Sequence, residues 1–161
     1  MQYLSHDITN KTQHEKMHRC HGSTTDIGLT GVRAVTKLKA TITQRFSLDG
    51  CEVDAESDCR FVFLWEKVDG NWGARYVRHW YEKDKLIPCD PNRVPKLDTN
   101  EVMQLPPGYR YLAYCQRHVE GISPSLDMPG HRREGSSVNG QMHDKLYWQC
   151  KQWLDGEDVD F

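Results

Sequence analysis

The segment His14-Glu15-Lys16-Met17-His18 reads H-E-x-x-H, the pattern in which a helix holds zinc with two histidines on one face and a glutamate activates water. Its surroundings argue against that chemistry. A metalloprotease helix is embedded in a core, whereas the stretch from NKTQ to RCHGST offers only Met17 and Cys20 as apolar residues. No third ligand is evident, and little chain precedes the motif to form a substrate-edge sheet. Adventitious metal binding by His14, His18 and His21 is the most that the pattern supports, and no resident metal is expected.

Acid-base residues form three further groups. His18 and His21 lie just before the first long strand, where either would project over the mouth of a sheet as a general acid or base, or serve as an ordinary exposed histidine. Asp58, His79 and Tyr81 fall on neighbouring strands within side-chain reach, as a proton-transfer cluster or a cross-strand polar network. Arg78, with Tyr76 beside it, would hold a developing enolate or carboxylate oxygen, or else stack internally. The chain has no G-x-G-x-x-G, P-loop or G-x-S-x-G, so nucleotide chemistry and serine hydrolysis find no support.

Two Asp-Gly pairs define the elements that would position these groups. Asp49-Gly50 and Asp69-Gly70 separate alternating apolar runs, the strongest short-range signal for tight hairpins. Residues 33 to 81 are therefore expected to form a three-stranded antiparallel meander. With two-residue turns, one face carries the rows Ala34-Trp65-Ala74, Thr36-Phe63-Tyr76, Leu38-Phe61-Arg78 and Ala40-Cys59-Trp80, a large aromatic surface. The opposite face carries Lys37, Lys39, Arg60, Asp58, His79 and Tyr81, and reads as charged and paired. In this register Arg78 is a guanidinium within the aromatic surface, which must pair, stack or meet a ligand oxygen.

The remaining chain is shorter in structure. Asn10 to Cys20 is expected to be a short helix capped by Asn10; Pro88 to Gly108 is a Pro-rich arm with one helix from Thr99 to Leu105. Tyr109 to His118 reads as helical and Gly121 to Gly140 as a loop. Gln141 to Leu154 spaces Met142, Leu146, Cys150, Trp153 and Leu154 as a helical stripe, and Asp155 to Asp160 reads as a frayed acidic end. The fold class is α+β, a curved antiparallel sheet with helices over its concave face. In 161 residues one domain is expected, with helix and meander over 12–88 and arm and C-terminal helices over 89–161. A net charge of -2 gives no reason to expect nucleic acid or a membrane as partner. With no signal-peptide core or membrane-length apolar run, a cytoplasmic location is expected. The six cysteines lack short-spaced pairs and read as reduced core residues.

The sequence H-R-C-H-G-S-T-T-D-I from His18, T-Q-R-F from Thr43 and F-L-W-E-K-V-D-G-N-W from Phe63 together resemble the SnoaL-like and scytalone-dehydratase-like branch of the nuclear-transport-factor-two-like superfamily. The resemblance covers residues 12 to 88 in fragments. It implies a cone-shaped α+β barrel, often a homodimer, that binds a small hydrophobic molecule without cofactor. Members include dehydratases, isomerases and cyclases, lyase and isomerase chemistry used in polyketide and other secondary metabolism. The resemblance places His18 as proton carrier and Cys59 and Phe61 on the pocket wall; the aromatic face adds Phe63 and Trp80 to that wall, with Arg78 and Tyr76 as oxygen-binding groups. The family's second histidine falls on Thr43, which would reach the pocket only through a bulge in its strand. The N-terminal helix pair that closes the cone has no counterpart before His14, so it is read as shortened or missing. A non-catalytic binding or dimerisation module of the same fold is the alternative.

The H-E-x-x-H pattern generates one outcome of its own. Metal analysis of the purified protein should return no stoichiometric zinc. One tightly held zinc per chain would promote the protease reading.

Overall fold

The computed structural model describes residues 16–131 and 137–160. Four strands form one antiparallel sheet in the order β1-β2-β3-β4: β1 Lys16–Ile27, β2 Arg33–Leu48, β3 Cys51–Val68 and β4 Asn71–Pro88. Both Asp-Gly pairs are the expected turns, with Asp49 and Asp69 at φ 51° and Gly50 and Gly70 at 68° and 82°, the left-handed pair that a type I′ hairpin needs. The curved sheet therefore contains the expected meander and one strand more. That strand is β1, which occupies Lys16 to Cys20 where the sequence suggested helix. Asn10, His14 and Glu15 lie outside the described residues. His18 is thus a strand residue opposite Ile42, and a helical zinc site cannot be built on it.

The β2–β3 register is the expected one throughout, with Ala34 opposite Trp65, Leu38 opposite Phe61 and Leu48 opposite Cys51. The β3–β4 register differs. It shifts between Leu64 and Trp65 and again between Asp58 and Cys59, so that Arg75 and Glu82 have no ladder partner. A β-bulge puts two residues of one strand against one of the other and exchanges the faces beyond it. Phe61 consequently faces His79, and Cys59 faces Tyr81, while Leu64 pairs with Tyr76, Val62 with Arg78 and Arg60 with Trp80. This corrects the sequence-derived faces: Tyr76, Arg78 and Trp80 leave the aromatic surface, and His79 and Tyr81 join it.

Each face is apolar over a different half of its length. On the side bearing Phe61, the end near Asp49-Gly50 is covered by α1 (Thr99–Gln104), α2 (Arg110–Cys115) and the π-helical turn Gln116–Glu120. Val102, Leu105, Tyr109, Leu112 and Cys115 pack there against Phe46, Val53, Ala55, Cys59 and Tyr81. On the side bearing Val62, α3 (Val138–Asp155) lays Leu146, Cys150 and Trp153 on Val35, Val62, Leu64 and Trp80. Full burial of each large apolar side chain contributes about 1.5–3 kcal/mol. α3 is capped by Ser137, whose side chain accepts from the Gly140 amide, and ends at left-handed Gly156.

The acidic end is not frayed, as its composition had suggested. Val159 is buried beside Trp153, and Arg33 donates to the Glu157 carbonyl at 2.5 Å and to Asp158 at 2.7 Å while stacking over Trp153 at 4.0 Å. The Trp153 indole donates to the Trp65 carbonyl at 3.0 Å, fixing the end of α3 against β3. Of the cysteines, Cys51, Cys59, Cys115 and Cys150 are free, buried core residues; Cys20 and Cys89 are free and exposed. No described helix is long and apolar enough to cross a membrane.

Gly108 lets the segment before α2 pass against β4, because a Cβ there would meet the Tyr81 carbonyl oxygen at 2.7 Å. Gly108→Ala should therefore cost about 1–3 kcal/mol of stability in denaturant unfolding. Gly73→Ala, in open space, should stay within about 0.5 kcal/mol of the unaltered protein.

Candidate functional site

Beyond the area under α1 and α2, the Phe61 side of the sheet is uncovered by any described helix. Phe61, Phe63 and Trp65 run along β3 as a ladder, with ring centroids 6.3 Å and 5.8 Å apart, the second pair stacked at 20°. All three are half-buried, as is Leu38 beside them, and Ile27 and Val77 on the flanking strands are 64% and 46% exposed. The Trp65 indole is oriented by a 2.9 Å bond to the Thr36 hydroxyl, which also meets Thr25 at 2.9 Å. Alternation alone accounts for the ladder: residues 61, 63 and 65 share a face, and β3 crosses the sheet with no irregularity against β2.

At the inner margin of the ladder stands His79. Its ring lies 5.8 Å from Phe61 and 5.4 Å edge-on from Tyr81, whose ring in turn lies 5.0 Å from Tyr109. Burial, then the neighbouring Arg78 charge, pushes the imidazole below its ordinary titration range, so it is neutral at physiological pH. Burial also pushes the Tyr81 phenol up to about 12 and the Cys59 thiol up to about 11, aided by nearby anionic groups, so both keep their protons. Cys59 donates to the Ala40 carbonyl and is wholly buried, a core residue and not part of a surface wall. Below them, half-buried Asp84 accepts from the Tyr111 and Leu112 amides at 2.7 and 2.9 Å; desolvation nevertheless raises its carboxyl to about 6.

The expected site residues are thus divided between the two sides. Phe61, Phe63, His79 and Tyr81 come together with Cys59 beneath them. Arg78, Tyr76 and Trp80 lie on the Val62 side: Arg78 donates to the Val77 carbonyl at 2.9 Å and Tyr76 meets Trp153 edge-on at 5.8 Å. His18 shares the Phe61 side, but on exposed β1 opposite Ile42, five positions along β2 from the Lys37 row that carries Arg78, or about 17 Å. His18 and Arg78 therefore do not converge on one ligand. Thr43 stays on the Val62 side opposite Glu56, since β2 has no bulge against β3. Asp58 also lies there, accepting from the Thr41 hydroxyl at 2.8 Å. That hydroxyl, its proton spent on Asp58, accepts from His21 Nε2 at 2.7 Å.

Sequence reasoning missed a second cluster on the Val62 side. Two adjoining clefts flank Tyr147 of α3, one of about 390 Å³ reaching His21, Lys37 and Lys39, the other of about 440 Å³ lined by Trp80, Glu82, His131 and His143, with Arg60 common to both. His143 is buried between Trp80 and Tyr147 at 4.8 and 4.6 Å. Its i,i+4 spacing with Tyr147 was readable, but the bulge that brings Trp80 to this side was not.

His79 and Asp84 give the fold opposite pH responses. His79 has a folded pKa below its ordinary value of 6.5, so its contribution is present above that pH and is lost as pH falls. The Asp84 carboxyl has a folded pKa raised to about 6, so its contribution is present in acid and is lost as pH rises from 3.8 through about 6. Urea unfolding from about pH 7.5 to about pH 4 should show His79→Gln lacking the loss on acidification and Asp84→Asn lacking the opposing gain. Identical profiles for both variants and the unaltered protein would show that neither group titrates as described.

No protein-family model matches the chain. It is 59% identical over 144 residues to Pea pathogenicity protein 2 of Fusarium vanettenii, an alignment covering 89% of this chain and 62% of that protein. An uncharacterized protein of Emericella nidulans is 58% identical over 149 residues, covering 89% of this chain and 63% of the relative. One from Aspergillus terreus is 61% identical over 142 residues, covering 80% and 52%. The chain is thus similar, over most of its own length, to proteins of which it spans only between half and two thirds.

Proposed function

We propose that the Phe61 side of the sheet is the ligand surface of a cofactor-independent dehydratase, isomerase or cyclase acting on a small, hydrophobic, oxygenated metabolite of polyketide type. The observation that carries this reading is His79, an uncharged imidazole set between Phe61 and Tyr81 at the margin of an uncovered aromatic ladder. A neutral imidazole in apolar surroundings accepts a proton, and general-base catalysis of this kind is worth about 100-fold to 10,000-fold in rate. A flat ligand stacked on Phe61, Phe63 and Trp65 gains about 0.5–1.5 kcal/mol per ring contact beyond burial. It would lie against His79, which takes a proton from a carbon next to a carbonyl, while the Tyr81 phenol remains a donor toward oxygen. The roles suggested for His18, Arg78 and Tyr76 pass to His79 and Tyr81.

The resemblance to SnoaL-like proteins supports the same reading, since those proteins use a hydrophobic interior without cofactor. A cone-shaped barrel requires further cover over this surface. The second reading, a non-catalytic binding or dimerisation module, is favoured by the openness of the ladder, which is flanked by a β1 strand exposed along all of its 12 residues.

Proton exchange separates the two. With a bicyclic aryl ketone in deuterated buffer, the protein should catalyse exchange at the carbon beside the carbonyl, and His79→Gln should slow it about 100-fold or more while binding, read by Trp fluorescence, changes less than about threefold. His18→Ala and Arg78→Ala should exchange normally. Binding without exchange in the unaltered protein would establish the module reading, and binding undiminished in Phe63→Ala would overturn both.

A further inference from the structure

The groove on the Val62 side is separate from the ladder, on the other surface of the sheet, and its chemistry is different. Lys39, Arg60 and Trp80 are direct cross-strand partners and form its floor, with Glu82 beside them. Glu82 is shared: one oxygen accepts from Arg60 Nε at 2.8 Å and the other meets Lys39 Nζ at 3.4 Å. Burial works to raise this carboxyl, but the Arg60 hydrogen bond and charge, with Lys39, outweigh it and hold the group ionised. One floor carboxylate therefore serves two floor cations, and a third, Lys37, lies further along the groove against Tyr147. The other acids, Asp26 paired with Lys37 and Asp144 beside His143, sit at the rim with side chains 53% and 74% exposed.

Two donors at the floor are unused. Arg60 engages only its Nε among the described residues, which leaves the Nη edge of the guanidinium, the edge suited to a bidentate carboxylate. The Trp80 indole N–H is buried and has no acceptor among the described residues, an arrangement that costs free energy. The walls are aromatic: Trp80 beneath the Arg60 guanidinium at 5.6 Å, His143 edge-on to Trp80, and Tyr147 stacked on His143 at 26°.

We infer that this groove is a second binding site, for a small planar aromatic carboxylate, whose carboxylate meets the Arg60 Nη edge and whose ring lies along the aromatic wall that Trp80, His143 and Tyr147 form together. A phosphate would be drawn by the same cations but would not use the aromatic walls, and an uncharged arene would leave Arg60 unanswered.

The test is calorimetric titration of the full chain with 2-naphthoate, 2-naphthamide and inorganic phosphate, alongside NMR of the tryptophan indole N–H signals. 2-Naphthoate should bind at one site, at least tenfold more tightly than the amide or phosphate, and shift the Trp80 indole resonance. Arg60→Gln and Tyr147→Ala should each weaken it tenfold or more, and Arg60→Lys should lose part of that affinity while keeping the fold. Phe63→Ala, on the other side of the sheet, should bind it unchanged. Equal affinity for the amide or for phosphate, undiminished binding in Arg60→Gln, loss in Phe63→Ala, or no saturable binding would each overturn the proposal. These outcomes are independent of the ketone exchange that tests the Phe61 side.

Discussion

Everything in this molecule depends on side chains alternating across a pleated strand with a period of two. In strands of 16 to 18 residues that rule forces each strand to serve two surfaces, and each surface here is apolar for only part of its length. The helices follow the apolar stretches. α1 and α2 settle on one side near one set of turns, and α3 settles on the other side toward the opposite end, so the sheet is sandwiched diagonally instead of being covered on one surface.

The two bulges of β4 are where this rule is reset. Arg75 and Glu82 each take the extra place, and both are charged and engaged with partners on the Val62 side, Glu66 and Arg60 respectively. Between them, Trp80 and Tyr76 face α3, and His79 and Tyr81 face the aromatic ladder. Without the shift, a tryptophan that belongs under α3 would stand against Cys59, and the His79 imidazole would stand among Lys39 and Arg60. The core of each side thus requires the irregularity.

This explains what the sequence disclosed and what it did not. Both turns, the complete β2–β3 register and the stripe of α3 were legible, since Asp-Gly dipeptides and apolar spacing are local signals. β4 was legible as a strand but not in its facing, because the bulged residues Arg75 and Glu82 are charged and fit an alternating strand equally well in either register. The candidate site suffered accordingly: Phe61 and Phe63 were placed correctly, while His79 and Tyr81 were assigned away from them. β1 was unreadable for a different reason. Its residues are all exposed, so it carries no buried face to impose alternation, and its pairing with β2, the His21–Thr41 and Thr25–Thr36 bonds and the Asp26–Lys37 ion pair hold it there. The tail was misjudged because its single buried residue, Val159, is surrounded by acids whose partner, Arg33, is 125 residues away from Asp158.

That long separation has a kinetic side. Each strand of the sheet pairs only with its neighbour in sequence, so the three hairpins can zip from their own turns with little loop-closure entropy to overcome. The clasp of Arg33 and Trp153 on the acidic end closes a loop of 125 positions and has to follow, once α3 and its landing surface exist. Assembly is then ordered by distance along the chain. The hairpin turns act first, the two diagonal helical layers next, and the joining of β2 to the C-terminal segment last, so the surface beneath α3 stays open longest during folding.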